Sequence, residues 1–362
     1  NEIGDFYYEP PTDFLAICTS NLPAPEIKLP GDHFNTVLYT GIGSEQAVTG
    51  VGFQPDMVWV KSRSNAYQPG IVDAVRGVEK YISPSETDAE ATSSGAVSAF
   101  GADGFTLGGG GTVWNGTSAT FVAWNWLAAD TFDPKTDGDI AVASGQRNAT
   151  AGFSIVKYTG ESGTPTVGHG LGVTPDLIII KQLTSGYTRE WNVASLQIGS
   201  GNKRLVLNTT AAQATGSGLD SPYIGSSVFT LSDGTSRTND GESDYIAYCF
   251  ASIEGYSKVG KYTGNGNADG PFIYTGFSPA YVMIKQIDGT SNWAILDNKR
   301  PGYNVTNEEL NADSSVAESA NAPDIDFTSN GFKRRDTEIN ANSRTYLYLA
   351  FASYPFKYSP AR

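Results

Sequence analysis

One nine-residue phrase occurs three times in the chain, and this repetition constrains the fold more than any other feature. FQPDMVWVK at 53–61 returns as VTPDLIIIK at 173–181 and as FSPAYVMIK at 277–285. The proline and the lysine keep their places, 120 and then 104 residues apart. A YTG tripeptide precedes each copy and an aromatic segment follows it, so each repeat covers about 100 residues, the size of a small domain.

The chain is therefore divided into five predicted segments. We expect an N-terminal arm at 1–33, repeat 1 at 34–130, a linker at 131–152, repeat 2 at 153–254 and repeat 3 at 255–362. The linker before repeat 2 is long and polar, whereas the connection before repeat 3 is short. Repeats 2 and 3 are expected to pack together, and repeat 1 is expected to swing or dock separately.

Each repeat carries the pattern of a β-sandwich. In the middle segment of repeat 1, Val58 and Val60 point to one face of a strand and Met57 and Trp59 to the other. Both faces are apolar, as they are in a strand inside a sandwich. Asp-Gly and Asn-Gly pairs supply tight turns in each of the three repeats. The predicted class is all-β, with three tandem sandwiches of jelly-roll or lectin-like type and an extended N-terminal arm.

Composition excludes some functions. The chain has 38 acidic and 24 basic residues, and a formal charge of -14 repels nucleic acid. No apolar run approaches the roughly 18 residues of a membrane span, so no membrane insertion is expected. The two cysteines, Cys18 and Cys249, imply no disulfide framework. Cys249 stands where the other repeats have Asn125 and Ala350, which indicates a small packing niche.

The N-terminal residues 7–29 read YYEPPTDFLAICTSNLPAPEIKL. They resemble the closing strands of the SPRY-like or concanavalin-like sandwich in tail and fibre proteins of marine and cyanobacterial phages, with Asp13 and Ile17 as departures. The matching residues are Pro10, Pro11, Phe14, Ala16, Cys18, Thr19, Asn21, Leu22, Pro23, Pro25 and Ile27. Because the chain opens with Asn inside what resembles the end of another domain, we expect a processed or incomplete N terminus.

The repeats resemble a phage domain of unknown function that recurs, often in tandem, after such segments. Repeat 1 matches its pattern at 39–43, 52–63, 73–77 and 115–126, whereas repeats 2 and 3 have lost the DxxRG element. The resemblance implies a virion structural protein and carries no catalytic residues over to this chain.

Candidate catalytic groups are few. Hydrolysis of a glycan would need two carboxylates about 5 to 10 Å apart. The acids available for such a pair are Asp73, Glu79, Asp297, Glu308 and Glu309. Asp73 and Asp297 hold equivalent positions in two repeats, which favours a structural role. We predict no catalytic residue and no enzymatic activity.

Metal and cofactor signals are also weak. His33 and His169 have no sequence neighbours suited to a metal or to acid–base chemistry. We predict no cofactor and no dedicated metal site. A loosely bound calcium in the acidic segment with Asp240, Glu242 and Asp244 stays open as an alternative to solvated hairpin charges.

Tyrosines in irregular loops are the candidate ligand contacts, because a tyrosine can stack on a sugar or anchor a protein partner. The alternative is that each packs over a sandwich edge. The five residues are Tyr67, Tyr81, Tyr187, Tyr223 and Tyr303.

Repetition without a catalytic cluster predicts architecture and adhesion, since weak sites on several modules gain from effective concentration. We expect a tail fibre or receptor-binding component of a phage virion, assembled in the host cytoplasm. Other virion proteins and a host surface glycan or receptor are the expected partners, and a homo-oligomer is expected. The alternatives are a capsid decoration or head-fibre protein and, from a different class, a glycan depolymerase.

Overall fold

The computed structural model describes residues 8, 11, 21–184, 186, 188–199, 202–216, 218–235, 237–319 and 324–359. Nearly all of its regular structure is β, which confirms the predicted class. Short helical turns lie at Thr112–Asn115 (α1) and, as 3-10 turns, at Pro30–Asp32, Pro134–Thr136, Leu196–Ile198 and Phe356–Tyr358.

Repeat 1 forms a sandwich of a main sheet and a smaller sheet. The main sheet has the order β1-β9-β3-β4, and the smaller one has the order β2-β8-β7. The strands are β1 (Phe34–Thr40), β2 (Gln46–Thr49), β3 (Met57–Ser62), β4 (Gly70–Asp73), β5 (Lys80–Tyr81), β6 (Ala91–Thr92), β7 (Val97–Gly101), β8 (Gly104–Leu107) and β9 (Thr120–Trp126).

Repeat 2 has the same core with extra strands at both edges. Its strands are β10 (Asp130–Phe132), β11 (Ala143–Asn148), β12 (Phe153–Thr159), β13 (Thr166–Gly168), β14 (Leu177–Gln182), β15 (Asn192–Ser195), β16 (Lys203–Val206), β17 (Ala214–Thr215), β18 (Leu219–Ile224), β19 (Val228–Leu231) and β20 (Asp244–Phe250). The main sheet runs β10-β11-β12-β20-β14-β15-β16-β17, and the smaller sheet runs β13-β19-β18. Most of the segment expected to be a linker therefore lies in β10 and β11 or close to them.

Repeat 3 follows the same plan. Its strands are β21 (Ser257–Thr263), β22 (Phe272–Tyr274), β23 (Phe277–Gln286), β24 (Ala294–Asp297), β25 (Leu310–Asn311), β26 (Ile325–Thr328), β27 (Gly331–Arg334) and β28 (Thr345–Pro355). The main sheet runs β21-β28-β23-β24-β25, and the smaller sheet runs β22-β27-β26. In all three repeats the last strand lies between the first strand and the middle strand, with antiparallel pairing throughout.

The YTG tripeptides close the same corner in each repeat. The tyrosine hydroxyl donates to a backbone carbonyl in the loop before the last strand: Tyr39 to Trp114 (2.7 Å), Tyr158 to Thr238 (2.8 Å) and Tyr262 to Ile339 (2.6 Å). The glycine lies against that loop so closely that a Cβ would stand 2.3 to 2.4 Å from a carbonyl oxygen in all three copies. Only glycine fits such an approach.

The two apolar faces of each main sheet have different partners. One face packs on the smaller sheet of its own repeat, as Val58 and Val60 do. The other face packs on the other two repeats in one shared core, to which Met57 and Trp59 belong. Further members of the shared core include Trp124, Trp126, Phe153, Ile179, Tyr248, Phe250, Tyr281, Met283, Leu349 and Phe351. Burial of so much aromatic surface is the main stabilising term.

Repeat 1 is therefore an integral part of the molecule, and the expectation that it swings or docks separately is wrong. Its Trp126 ring lies 6.0 Å from that of Tyr281 in repeat 3 and 6.4 Å from that of Phe153 in repeat 2. The arm joins the same core through Ile27, and Phe34 at the start of β1 stacks on Phe351 at 4.8 Å. The linker segment cannot act as a hinge because β11 pairs with β12 along its length.

Candidate functional site

The most organised polar chemistry of the molecule lies between the repeats. The lysine that ends each nine-residue phrase has a fully buried side chain and donates from Nζ to a backbone carbonyl of a neighbouring repeat. The contacts join Lys61 to Ser314, Lys181 to Thr87 (3.0 Å) and Lys285 to Thr210 (2.9 Å). Repeat 1 thus contacts repeat 3, repeat 3 contacts repeat 2, and repeat 2 contacts repeat 1, so the three repeats form a closed ring.

The backbone repeats this cyclic pattern two residues further on. The carbonyls of Arg63, Leu183 and Ile287 accept N–H groups from the neighbouring repeat: Glu318 to Arg63 (2.8 Å), Glu90 to Leu183 (3.1 Å) and Gln213 to Ile287 (2.8 Å). Burial lowers the pKa of each ring lysine to about 8, with Asp313 opposing the shift for Lys61 and Lys285 and Asp88 opposing it for Lys181. These lysines hold the repeats together through main-chain oxygens.

Among the described residues, buried Asp–Arg ion pairs lie at two of the three ring interfaces. Asp73 Oδ2 accepts from Arg76 Nε at 2.6 Å and from the Tyr248 hydroxyl of repeat 2 at 2.7 Å. In repeat 3, Asp297 Oδ2 accepts from Arg300 Nε at 2.7 Å and from Trp124 Nε1 of repeat 1 at 3.0 Å. The carboxylate and guanidinium groups are fully buried in both cases.

The candidate acids are used in this architecture or lie apart from one another. Asp73 and Asp297 are the acids of the two ion pairs just described. Glu308 contacts Arg63 of repeat 1 at 3.1 Å. Glu309 is largely buried, which raises its pKa to about 7. Glu79 adopts a left-handed backbone conformation with φ of 63°. Asp297 and Glu308 thus belong to the interface between repeats 1 and 3, and Asp73 belongs to the interface between repeats 1 and 2.

Among the described residues, no group of three or more His, Cys, Asp or Glu side chains could hold a metal ion. The Asp244 carboxylate accepts from Lys157 Nζ at 2.9 Å and from the Thr159 hydroxyl at 2.7 Å, so this acid of the candidate calcium segment already has a cationic partner. Within the same part of the chain, no helix is long and apolar enough to cross a bilayer.

The histidines and the cysteine contact neighbouring groups. His33 Nδ1 shares a 3.0 Å hydrogen bond with Asn148, and its ring lies edge-on to Tyr256. His169 Nε2 lies 3.1 Å from the carbonyl oxygen of Gly225. Burial raises the pKa of the Cys249 thiol to about 12, in keeping with the packing niche predicted for it. Cys18 and most of the segment 7–29 lie outside the described residues.

The candidate tyrosines fall into three groups. Tyr67 and Tyr81 pack against the sandwich core of repeat 1, and Tyr223 packs against that of repeat 2. Tyr303 is 83% exposed. Tyr187 lies outside the described residues. Tyr303 is the most exposed of the four candidate tyrosines that the structure describes, and the assignment of all five as ligand contacts stays a prediction.

Two grooves at one end of repeat 3 could not be predicted from the sequence. The first, here called the arm groove, holds about 420 Å³ between arm residues 28–32 and the ends of β23 and β28. The second, the terminal groove, holds about 480 Å³ between residues 22–26 and the aromatic pair Tyr274 and Phe356. Both depend on the arm crossing repeat 3, a contact between opposite ends of the chain.

These observations define a class: a single-chain ring of three β-sandwiches closed around one apolar core. The chain belongs to the domain family of unknown function DUF7483, whose model matches residues 29–355 in one stretch. The family unit thus includes all three repeats and the end of the arm. No protein of curated function shows significant similarity to the chain.

Proposed function

We propose that the chain is a non-enzymatic structural module of a tailed-phage virion that serves as a tail fibre or receptor-binding component. The observation that carries the proposal is the closed ring, in which the repeated lysines and the Asp–Arg pairs are used to join the repeats. A module with its repeated polar groups committed in this way is suited to rigid presentation of its outer loops. The SPRY-like arm supports the phage setting by resemblance.

This role has consequences for partners and location. The module would reside in the virion, contact other virion proteins and meet a host surface glycan or receptor, and we keep a homo-oligomer of these rings as part of the proposal. Among the candidate carboxylates, Asp73 and Asp297 are each bound to an arginine at under 3 Å, which favours a structural role over that of a glycan depolymerase.

One observation favours a second candidate, a capsid decoration or head-fibre protein. The terminal groove presents Tyr274 (57% exposed) and Phe356 (40% exposed) beside the two ends of the described chain. Exposed aromatic side chains of this kind are frequent anchors in protein interfaces. A docking site of this type would suit attachment to a shell.

Localisation on intact particles of a phage that encodes the chain tests both candidates. Antibody labelling or cryo-EM density at the tail would support the receptor-binding role. Regular density over the capsid lattice would replace it with decoration. Absence from purified particles would overturn both.

A further inference from the structure

One side of the repeat 2 sandwich is covered by residues 130–148, here called the cover segment. In the main sheet, β11 pairs with β12, and the Thr159 N–H donates to the carbonyl of Val142 at 3.0 Å. At the smaller sheet, the Ile140 N–H donates to the carbonyl of Thr166 in β13 at 3.2 Å. The cover segment thus closes the edges of both sheets on this side.

The same two edges are open in repeat 3. β21 and β22 are the terminal strands of their sheets, with β28 and β27 as their neighbours. The Gly264 N–H donates to the carbonyl of Arg344 beside β28, so the alternation of an antiparallel ladder turns the backbone groups of Lys261 and Thr263 outward. Both residues are exposed, and no other group in the described part of the chain bonds to these backbone groups.

The open edge of the smaller sheet carries two aromatic side chains. β22 and β13 each place their buried central residue opposite a buried phenylalanine, so Phe272 and Tyr274 stand where repeat 2 has Thr166 and Gly168. In repeat 2 this place is filled, since a Cβ on Gly168 would lie 2.2 Å from the carbonyl oxygen of Pro134. In repeat 3 the two aromatic side chains are 47% and 57% exposed.

Repeat 1 shows that an open edge need not be aromatic. Its β2 holds Ala47 and Thr49 at the two equivalent positions. Because all three repeats take part in the ring, ring closure does not account for Phe272 and Tyr274.

The charges along the open side favour an acidic occupant. Lys258 Nζ donates to the carbonyl of Tyr274 at 3.0 Å and so bridges the two edges. In the described part of the chain, neither Lys258 nor Lys261 has an ion-pair partner, whereas Lys333 pairs with Asp269 at 2.7 Å. The cover segment of repeat 2 is itself acidic, with four aspartates and one lysine in residues 130–139. Edge-to-edge pairing of two copies of β21 would bring their lysines together, which like-charge repulsion disfavours.

We propose that the open side of repeat 3 binds an extended acidic segment of another virion protein. The segment adds a strand to β21 and passes over Phe272 and Tyr274, as the cover segment does for repeat 2 within the same chain. Main-chain hydrogen bonds supply affinity in this mode, and side-chain contacts supply specificity. The inference rests on the proposed function, because it assigns a surface to the contact with other virion proteins.

The test uses the full chain and overlapping synthetic peptides that span the other structural proteins of a phage that encodes it. A fluorescence titration identifies the tightest peptide, and hydrogen–deuterium exchange locates its site. We expect an acidic peptide to bind and to slow amide exchange in residues 257–263 and 272–274. Added salt should weaken the binding, since it screens the attraction to the lysines.

Lys261→Pro removes an outward N–H and leaves the pairing with β28 in place, so it should weaken the Kd for this peptide at least tenfold. The matched control is Leu38→Pro in β1, because Leu38 and Lys261 each directly precede the YTG tyrosine. It should bind within about twofold of the parent chain. Lys261→Glu keeps the backbone and reverses the charge, and Phe272→Ala removes a ring. Each should weaken the Kd several-fold.

Near-parental circular dichroism and melting temperature for each variant would separate lost contacts from misfolding. The proposal is overturned if no peptide binds, or if folded Lys261→Pro and Leu38→Pro variants bind equally well. Self-association of the chain that Lys261→Glu abolishes would make a second copy the occupant and would also overturn it.

Failure of this inference is distinguishable from failure of the proposed function. A chain located in the tail for which no peptide binds would lose the docking edge and keep its virion role. A chain that binds a peptide through β21 but is absent from particles would keep the edge and lose the role.

Discussion

Two of the ring interfaces show opposite solutions to the same packing problem. Between repeats 1 and 2, Asp73 and Arg76 form a buried pair that the Tyr248 hydroxyl completes. Between repeats 2 and 3, Ser195 and Ile198 stand in place of the Asp and the Arg. Leu349 holds the position that Tyr248 and Trp124 occupy in the other repeats.

The difference shows that the acid, the arginine and the hydrogen-bond donor on the partner strand occur together or are absent together. Where the partner strand supplies an O–H or N–H donor, the acid and the arginine are both present. Where the partner strand supplies Leu349, Ser195 stands in place of the acid and Ile198 stands in place of the arginine. Ser195 accepts a hydrogen bond from the Gln197 N–H at 3.1 Å, and Ile198 belongs to the apolar core. The attraction within a buried ion pair offsets the desolvation penalty of the two charges only when their remaining hydrogen-bonding positions are filled.

Breaking one member of the set should have the largest effect. Asp73→Asn keeps a turn acceptor and removes the charge, so Arg76 remains buried with only Glu90, at 3.4 Å, as an anionic partner. We expect a loss of about 3 kcal/mol or more in the free energy of unfolding, measured by denaturant titration. The matched change at the apolar interface, Ser195→Ala, should cost about 1 kcal/mol through its lost turn cap. Equal losses at the two sites would contradict the comparison.

Converting one interface into the other should cost less than breaking it. The triple variant Asp73→Ser, Arg76→Ile, Tyr248→Leu gives the first interface the residues of the second. We expect its free energy of unfolding to lie within about 2 kcal/mol of that of the parent chain and above that of the Asp73→Asn variant. The reason is that the triple variant leaves no buried charge unpaired. Thermal and denaturant unfolding of the three chains side by side would decide. A triple variant less stable than the single one would show that the surroundings of the two interfaces differ too much to be exchanged.

The ring lysines, which occur at all three interfaces, should give the smallest of these effects on the free energy of unfolding. Here the variable is pH. Burial lowers their pKa to about 8, so between pH 8 and 10 the folded chain releases protons that the unfolded chain keeps. The free energy of unfolding should therefore rise over this range, by at least about 1 kcal/mol. Well below pH 8 the lysines are protonated in both the folded and the unfolded chain, so they add no pH dependence to the free energy of unfolding.

The measurement is denaturant unfolding from pH 7 to pH 10 in a Cys249→Ala background. The substitution removes the opposing contribution of Cys249, whose pKa burial raises to about 12. Burial also raises the pKa of tyrosines such as Tyr39 and Tyr158, so their contribution to stability falls close to pH 10, and the comparison of the parent chain with the lysine variants isolates the lysine contribution. Lys61→Met, Lys181→Met and Lys285→Met should each remove a similar share of the rise. A rise that one substitution abolishes entirely would show that the three interfaces do not share this feature.

The fold class could be predicted because repetition and period-two alternation are local properties of the sequence. The same alternation placed Trp59 on a second apolar face, but it could not show which surface covers that face. Trp124, for example, donates to Asp297, which lies 173 positions away in the sequence. The polar segment ASGQRN at 143–148 joins a sheet through its backbone, and composition does not reveal such pairing.

The candidate site was less predictable for a related reason. Loop location left two alternatives for each candidate tyrosine, a ligand contact or packing over a sandwich edge, and Tyr67, Tyr81 and Tyr223 pack against sandwich cores. The arm groove exists because residues 28–32 cross strands more than 240 positions away in sequence. The unequal strand lengths of repeat 3 are the one local sign, and they become visible only when the three repeats are compared in three dimensions.

The joining of three repeats in one polypeptide also changes what a mutation can do. In a ring of three identical chains, every substitution appears three times, so a change that suits one position must be tolerated at all of them. In this single-chain ring, each substitution appears only once. One interface can therefore carry Ser195, Ile198 and Leu349 where another carries polar groups, and the two longer strands can occur in repeat 3 alone.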